Sequence, residues 1–105
     1  NKIENIDKLL QFDEVDGVMV GPYDISGSLG IPGQIEHEKV INAGKIVIKA
    51  CKKYGKVCGT QDINPTYESL QKAFVDGYSF LVLASDIFIL KEWGQRMQKL
   101  ITRLR

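Results

Sequence analysis

Apolar residues follow two rhythms along this chain. Ile3, Ile6, Leu9 and Leu10 recur every three or four positions, with Lys2, Glu4, Asp7 and Lys8 between them. That is the stripe of a surface helix over residues 2–11. Val15 to Val20 is a short, mostly apolar run, as expected of a parallel strand buried on both faces. Gly21-Pro22 ends it, because proline has no N–H for a central ladder. Gly27, Gly30, Pro32 and Gly33 crowd residues 23–36, which predicts a loop with room for a single helical turn. Helical spacing returns from His37 to Tyr54, where Val40, Ile41, Ala43, Gly44, Val47, Ile48 and Cys51 form one stripe. Lys49, Lys52 and Lys53 sit where the macrodipole favours cations, and Gly55 where a left-handed cap belongs.

Lys56 to Gln61 is a weaker second strand, with Val57 and Cys58 at its apolar centre. Pro65 suits the first turn of a helix over residues 65–76, with Leu70, Ala73 and Phe74 inward and Gly77 ending it. Tyr78 to Ala84 is the most hydrophobic run in the chain and predicts the third strand. Asp86 is placed to cap a last helix carrying Ile87, Leu90, Trp93, Met97, Leu100, Ile101 and Leu104. The order is α-β-loop-α-β-α-β-α. Alternating strands and helices, with connections long enough for crossovers, argue for an α/β fold with a parallel sheet. Both a doubly wound sheet and a piece of a (β/α) barrel fit that order. Three strands cannot close a barrel, and a small open parallel sheet keeps two hydrophobic edges. Further strands are therefore a physical expectation. No repeat beyond the βα unit and no linker divides residues 1–105, which read as one structural unit.

Composition narrows the partners. The chain has 105 residues, 44% hydrophobic and 26% charged, with a net charge of +1. That is an ordinary globular composition, and it gives no electrostatic footprint for nucleic acid or an anionic membrane. No apolar run is long enough to span a bilayer. The start is amphipathic rather than a signal peptide. The first residue is Asn1, as in a fragment or a processed product. Cys51 and Cys58 lack the spacing of a zinc site or a disulfide framework, so they read as reduced core residues of a cytoplasmic protein.

The chemistry-bearing candidate is Asp24, four residues past Val20. Ligands of α/β folds bind at the carboxyl ends of strands, and Asp24 is placed there. Its carboxylate can ligate a divalent cation or cap a short helix through Ser26 or later. Gly21 admits close backbone approach and Pro22 fixes the turn. The N–H groups of Tyr23 and Asp24 can then face an anion, as a 2-oxo acid requires. His37 reads as a helix-start residue. Asp62 and Asp86 also follow strands, and are more simply a loop residue and an N-cap. Asp16, beside Gly17 in a strand run, would need a partner if buried.

Asp16-Gly17-Val18-Met19-Val20-Gly21-Pro22-Tyr23-Asp24-Ile25-Ser26-Gly27-Ser28-Leu29-Gly30-Ile31-Pro32-Gly33-Gln34 closely resembles the signature of the HpcH/HpaI aldolase/citrate lyase family. The resemblance continues through His37 and Val40, Gly55-Lys56…Gly59, Gly77-Tyr78-Ser79-Phe80 and Ser85-Asp86, nearly the whole chain. It implies the C-terminal part, about three βα units, of a (β/α)8 TIM barrel of the phosphoenolpyruvate/pyruvate-binding type, with the N-terminal half absent. It implies a carbon–carbon lyase that cleaves or forms 4-hydroxy-2-oxo acids, giving pyruvate and an aldehyde, with a divalent metal (Mg, Mn or Co) stabilising the pyruvate enolate. Asp24 would be a metal ligand. The backbone at Tyr23 and Asp24, after Gly21 and Pro22, would hold the pyruvate carboxylate. A partner glutamate, an arginine and a histidine base would all fall before Asn1, so no catalytic residue lies within this stretch and it would be inactive alone. The family's usual apolar residue near Gln61 lines the substrate pocket. Polar Gln61-Asp62 departs from that, which implies a changed acceptor aldehyde or a decayed site. The last helix, residues 86–104, would be exchanged between barrels in a homo-oligomer, with Trp93 as an anchor.

Two other classes stay in view. One is a non-catalytic truncated half-barrel that acts as an assembly or interaction partner. The other is a flavodoxin-like receiver or phosphate binder, which needs a lysine at the third strand end; Ala84-Ser85-Asp86 supplies none.

Overall fold

The computed structural model describes residues 3–105. Helix α1 (Ile6–Leu10) leads to strand β1 (Gly17–Val20) and helix α2 (Pro22–Ser28). Helix α3 (Glu38–Tyr54), strand β2 (Val57–Asp62), helix α4 (Tyr67–Asp76), strand β3 (Phe80–Leu83) and helix α5 (Asp86–Arg103) follow. The strands form one parallel sheet in the order β1-β2-β3, with Val20 opposite Thr60 and Gln61 opposite Val82. The predicted α/β alternation and parallel pairing are both present.

The long apolar stripe of α3 decides where the core sits. His37 caps α3, its Nδ1 accepting from the Lys39 N–H at 3.1 Å. Gly55 ends it at φ 65°, left-handed as expected. Val40, Ala43, Gly44, Val47, Ile48 and Cys51 are all buried, as is Ala50, while Ile41 faces out. Ile6 and Leu10 of α1 join Val47, Ile48, Ala50 and Cys51 against Val20 and Cys58. These residues cover one face of β1 and β2, while no residue of β3 is buried. Side chains alternate along a strand, so Met19, Gly59, Phe80, Gln61 and Val82 occupy the opposite face. Met19, Phe80 and Val82 are exposed there. The expectation of a β1 buried on both faces is thus corrected: α1 and α3 cover one side, and no described element covers the other.

Several boundaries differ from expectation. Residues 22–28 are helical, because Pro22 at the first helical position pre-sets φ and Gly21 serves as the N-cap. The first helix is shorter than residues 2–11, and its expected start at Lys2 lies outside the described residues. Helix α4 starts at Tyr67, not Pro65, because Thr66 and Ser69 form a reciprocal capping box. No α4 residue is buried, and Phe74 is exposed rather than inward. Ser85, not Asp86, is the N-cap residue of α5; Asp86 Oδ1 instead accepts from the Ile87 N–H at 2.8 Å. Asp16 is exposed and needs no partner. Cys51 and Cys58 are free, buried thiols, as expected. No residue of α5 is buried. The chain measures 60 × 27 × 23 Å with a radius of gyration of 17.0 Å, against about 13 Å for a compact domain of this size.

Candidate functional site

The C-terminal ends of the three strands carry the residues that the sequence singles out. Gly21 extends β1 by one residue in an extended conformation (φ −101°, ψ 96°) before α2 begins. Val20 points to the covered face, so Gly21 faces the bare one. A Cβ placed on Gly21 would stand 2.7 Å from Asp24 Oδ2. The Asp24 carboxylate is therefore folded back over Gly21, on the bare side of the sheet rim. Only a residue without a side chain leaves it that room. Among the described residues no hydrogen bond or ion pair occupies this carboxylate, and Asp24 is exposed. Tyr23 and Asp24 lie in the first turn of α2, whose first helical bond runs from the Ile25 N–H to Gly21 O at 3.0 Å. Their own N–H groups precede that bond and point out of the helix start.

Strand β2 organises this rim. Three consecutive residues at its end each fasten a different element. The Thr60 hydroxyl donates to Val20 O at 3.0 Å, at the end of β1. Gln61 Nε2 donates to Ala84 O at 3.1 Å, just past β3. The Asp62 carboxylate accepts from the Ser69 hydroxyl and from the Asn64 N–H, which ties it to the start of α4. Asp62 is thus occupied as a loop fastener. Gln61 sits on the bare face, on the same side of the sheet as the Asp24 carboxylate.

Ser26 is fully buried inside α2. Its hydroxyl donates to Tyr23 O at 2.7 Å and accepts from the Gly33 N–H at 3.0 Å. Gly33 takes φ 80°, a left-handed conformation that suits glycine. The serine-to-glycine spacing of the motif is therefore a staple that folds residues 29–36 back onto α2. His37 is used as a cap and is not part of the rim. A cavity of about 340 Å³ opens on the covered side between α3 and α4, floored by Val20, Gly44, Thr60 and Tyr78. Burial pushes the Tyr78 phenol up to about 12.

The chain matches the HpcH/HpaI aldolase/citrate lyase model over residues 1–90. It belongs to that family. This HpcH/HpaI chain is 32% identical over 90 residues to a 2-keto-3-deoxy-L-rhamnonate aldolase of Salmonella dublin. That match covers 86% of this chain and 33% of the relative. Among solved structures it is similar to an HpcH/HpaI aldolase from Desulfitobacterium hafniense DCB-2, with a TM-score of 0.87 and 32% identity over 98% of this chain. The citrate synthase SbnG, at 20% identity and a TM-score of 0.81, shares the fold. The HpcH/HpaI chain spans about a third of the length of the curated relatives it matches and 39% of the Desulfitobacterium hafniense structure.

Three residues of the rim were not singled out by sequence reasoning. Thr60 and Ser26 act through hydroxyls whose partners lie in other segments, Ser26 across a seven-residue loop. Only the glycine spacing after Ser26 signals its staple. Ala84 adopts φ 58°, the one positive φ outside glycine among the described residues. It is held there by Gln61 and by its own N–H, which donates to Asp62 O at 2.7 Å.

Proposed function

We propose that this chain is the C-terminal part of a (β/α)8 barrel, one unit over residues 1–105, and that the whole protein is a carbon–carbon lyase. The barrel cleaves or forms 4-hydroxy-2-oxo acids, with pyruvate and an aldehyde on the other side of the reaction. The observation that carries this reading is the Asp24 carboxylate, folded over Gly21 on the bare side of the rim with no partner among the described residues. The relatives' name, a 2-keto acid aldolase, supports the substrate class.

The donor chemistry fits a divalent cation such as Mg, Mn or Co: an exposed, unpaired carboxylate is a hard oxygen ligand. Asp24 is one ligand only, since the described residues contain no cluster of three or more His, Cys, Asp or Glu that could hold a metal ion. The remaining ligands come from outside this stretch. A bound cation supplies positive charge to the keto oxygen as negative charge develops there on bond cleavage. This chain's own contribution is binding and orientation. The N–H groups of Tyr23 and Asp24 donate to the substrate carboxylate at the start of α2, and Gly21 and Pro22 shape the backbone that presents them. Gln61, at the strand end, would line the substrate pocket and keeps its amide oxygen for the aldehyde side. No proton is moved here: His37 is committed to its helix cap, and the base and arginine belong to the upstream part.

The same reading assigns α5 to a homo-oligomer interface. Leu90, Trp93, Leu100 and Leu104 are exposed along one stripe, and Trp is a preferred anchor. The partners are small molecules, with no nucleic acid or membrane; among the described residues no helix is long and apolar enough to cross a bilayer. The buried free thiols suit the cytoplasm.

The test is pyruvate release from a 4-hydroxy-2-oxo acid by this chain assembled with the upstream residues of a family member. Release should require a divalent cation, and Asp24→Ala should lower kcat/KM by about 100-fold or more. Full activity in Asp24→Ala would refute the assignment. Loss of the wild-type activity itself would favour the non-catalytic half-barrel.

A further inference from the structure

The strand end that carries Asp24 has no packed element above it, yet its backbone is fastened on both sides. On one side Gly21 O accepts the first helical bond of α2, from the Ile25 N–H at 3.0 Å. On the other side Val20 O accepts the Thr60 hydroxyl at 3.0 Å. Thr60 is buried, and it reaches Val20 across 40 residues of sequence. Gly21 is thus held between these two bonds, one on the carbonyl before it and one on its own carbonyl, and the Asp24 carboxylate lies over it.

We propose that Thr60 is a positioning residue for the Asp24 carboxylate: its hydroxyl fixes the Val20 carbonyl, and so the angle at which β1 delivers Gly21 and α2 to the rim. This rests on the lyase reading of Asp24 and extends it to a residue on a neighbouring strand, on the opposite face of the sheet. Thr60 touches neither substrate nor cation. A carbonyl oxygen has two lone pairs, so the hydroxyl adds an anchor without competing for a ladder bond. Valine has the same branched shape at this position and lacks only the hydroxyl. Serine keeps the hydroxyl and lacks only the methyl. The two substitutions therefore separate orientation from packing.

The assembled protein is the material for the test, with Mn(II) as the probe. Thr60→Val is expected to weaken Mn(II) binding and lower kcat/KM by about tenfold, the scale of one lost hydrogen bond. Thr60→Ser should stay within about twofold of the wild type in both, even where its melting temperature falls further, because a lost methyl costs packing. Amide exchange provides a readout that does not depend on activity: the Ile25 N–H should exchange faster in Thr60→Val and at the wild-type rate in Thr60→Ser. If Thr60→Val fails to fold, Thr60→Ala against Thr60→Ser makes the same comparison. The proposal is overturned if Thr60→Val binds Mn(II) like the wild type, or if Thr60→Ser loses as much as Thr60→Val. If the wild type shows no cation-dependent turnover, the lyase reading fails. The exchange of Ile25 then still decides whether Thr60 holds the turn.

Discussion

The two faces of strands β1 and β2 differ in what covers them. On the covered face Val20, Cys58 and Thr60 are 4%, 3% and 8% exposed. On the bare face Met19 is 48% exposed, although it directly precedes Val20 on the same strand, while no residue of β3 is buried on either side. Strand composition does not separate them, since both faces are mainly apolar. The difference is that α1 and α3 lie against one face of β1 and β2 and no described element lies against the other. Gly59 underlines the point. A Cβ there would collide with the Phe80 ring, so Phe80 lies flat across the glycine and shields some bare backbone with its own side chain. A sheet apolar on both faces but covered on one is half of an interior. The proposed barrel would put its interior on that side.

This contrast can be broken by substitution. Leu10, 1% exposed against the covered face, should cost about 2–5 kcal/mol as Leu10→Ala, measured by chemical denaturation of the chain. Met19→Ala on the bare face should cost less than about 0.5 kcal/mol in the chain by itself, the range of surface substitutions. In the assembled protein it should cost about 2 kcal/mol or more, because the same side chain is then interior. Equal costs in the two settings would mean that the bare face stays bare.

A smaller effect sharpens the covered side. Burial, with a smaller contribution from neighbouring Cys51, pushes the Cys58 thiol from 9.0 to about 12. Between those values the unfolded chain gives up the Cys58 proton while the folded chain keeps it. Stability is therefore complete below pH 9 and falls as pH rises toward about 12. Denaturation midpoints across that window should decline, and Cys58→Ala should flatten the decline. An unchanged slope in that variant would assign the effect to Tyr78, whose phenol is raised from 10.0 to about 12.

Much of this arrangement was legible in the sequence. The stripe from Val40 to Cys51 named the covering helix, Gly55 and Gly77 marked helix ends, and the motif from Gly21 to Asp24 marked the rim. Physical reasons account for what was not. The glycines at 27, 30 and 33 argued for a loop with at most a single helical turn, but Pro22 and the Ser26 staple stabilise a seven-residue helix. Phe74 reads as inward on α4 only if something packs there, and no α4 residue is buried in this chain. Thr60 had no signal, because a threonine in a strand is ordinary and its partner lies 40 residues away.

The central claim is that Asp24 presents its carboxylate to a cation at the rim of the bare face. Mn(II) binding to the assembled protein, followed by electron paramagnetic resonance without any substrate, tests it most directly. Asp24→Asn keeps the size of the side chain and removes its charge. The account expects Mn(II) affinity to fall by about 100-fold in that variant, the loss of one charged ligand, while the melting temperature holds, since nothing in the described fold depends on that carboxylate. Mn(II) bound equally well by Asp24→Asn and wild type would contradict it.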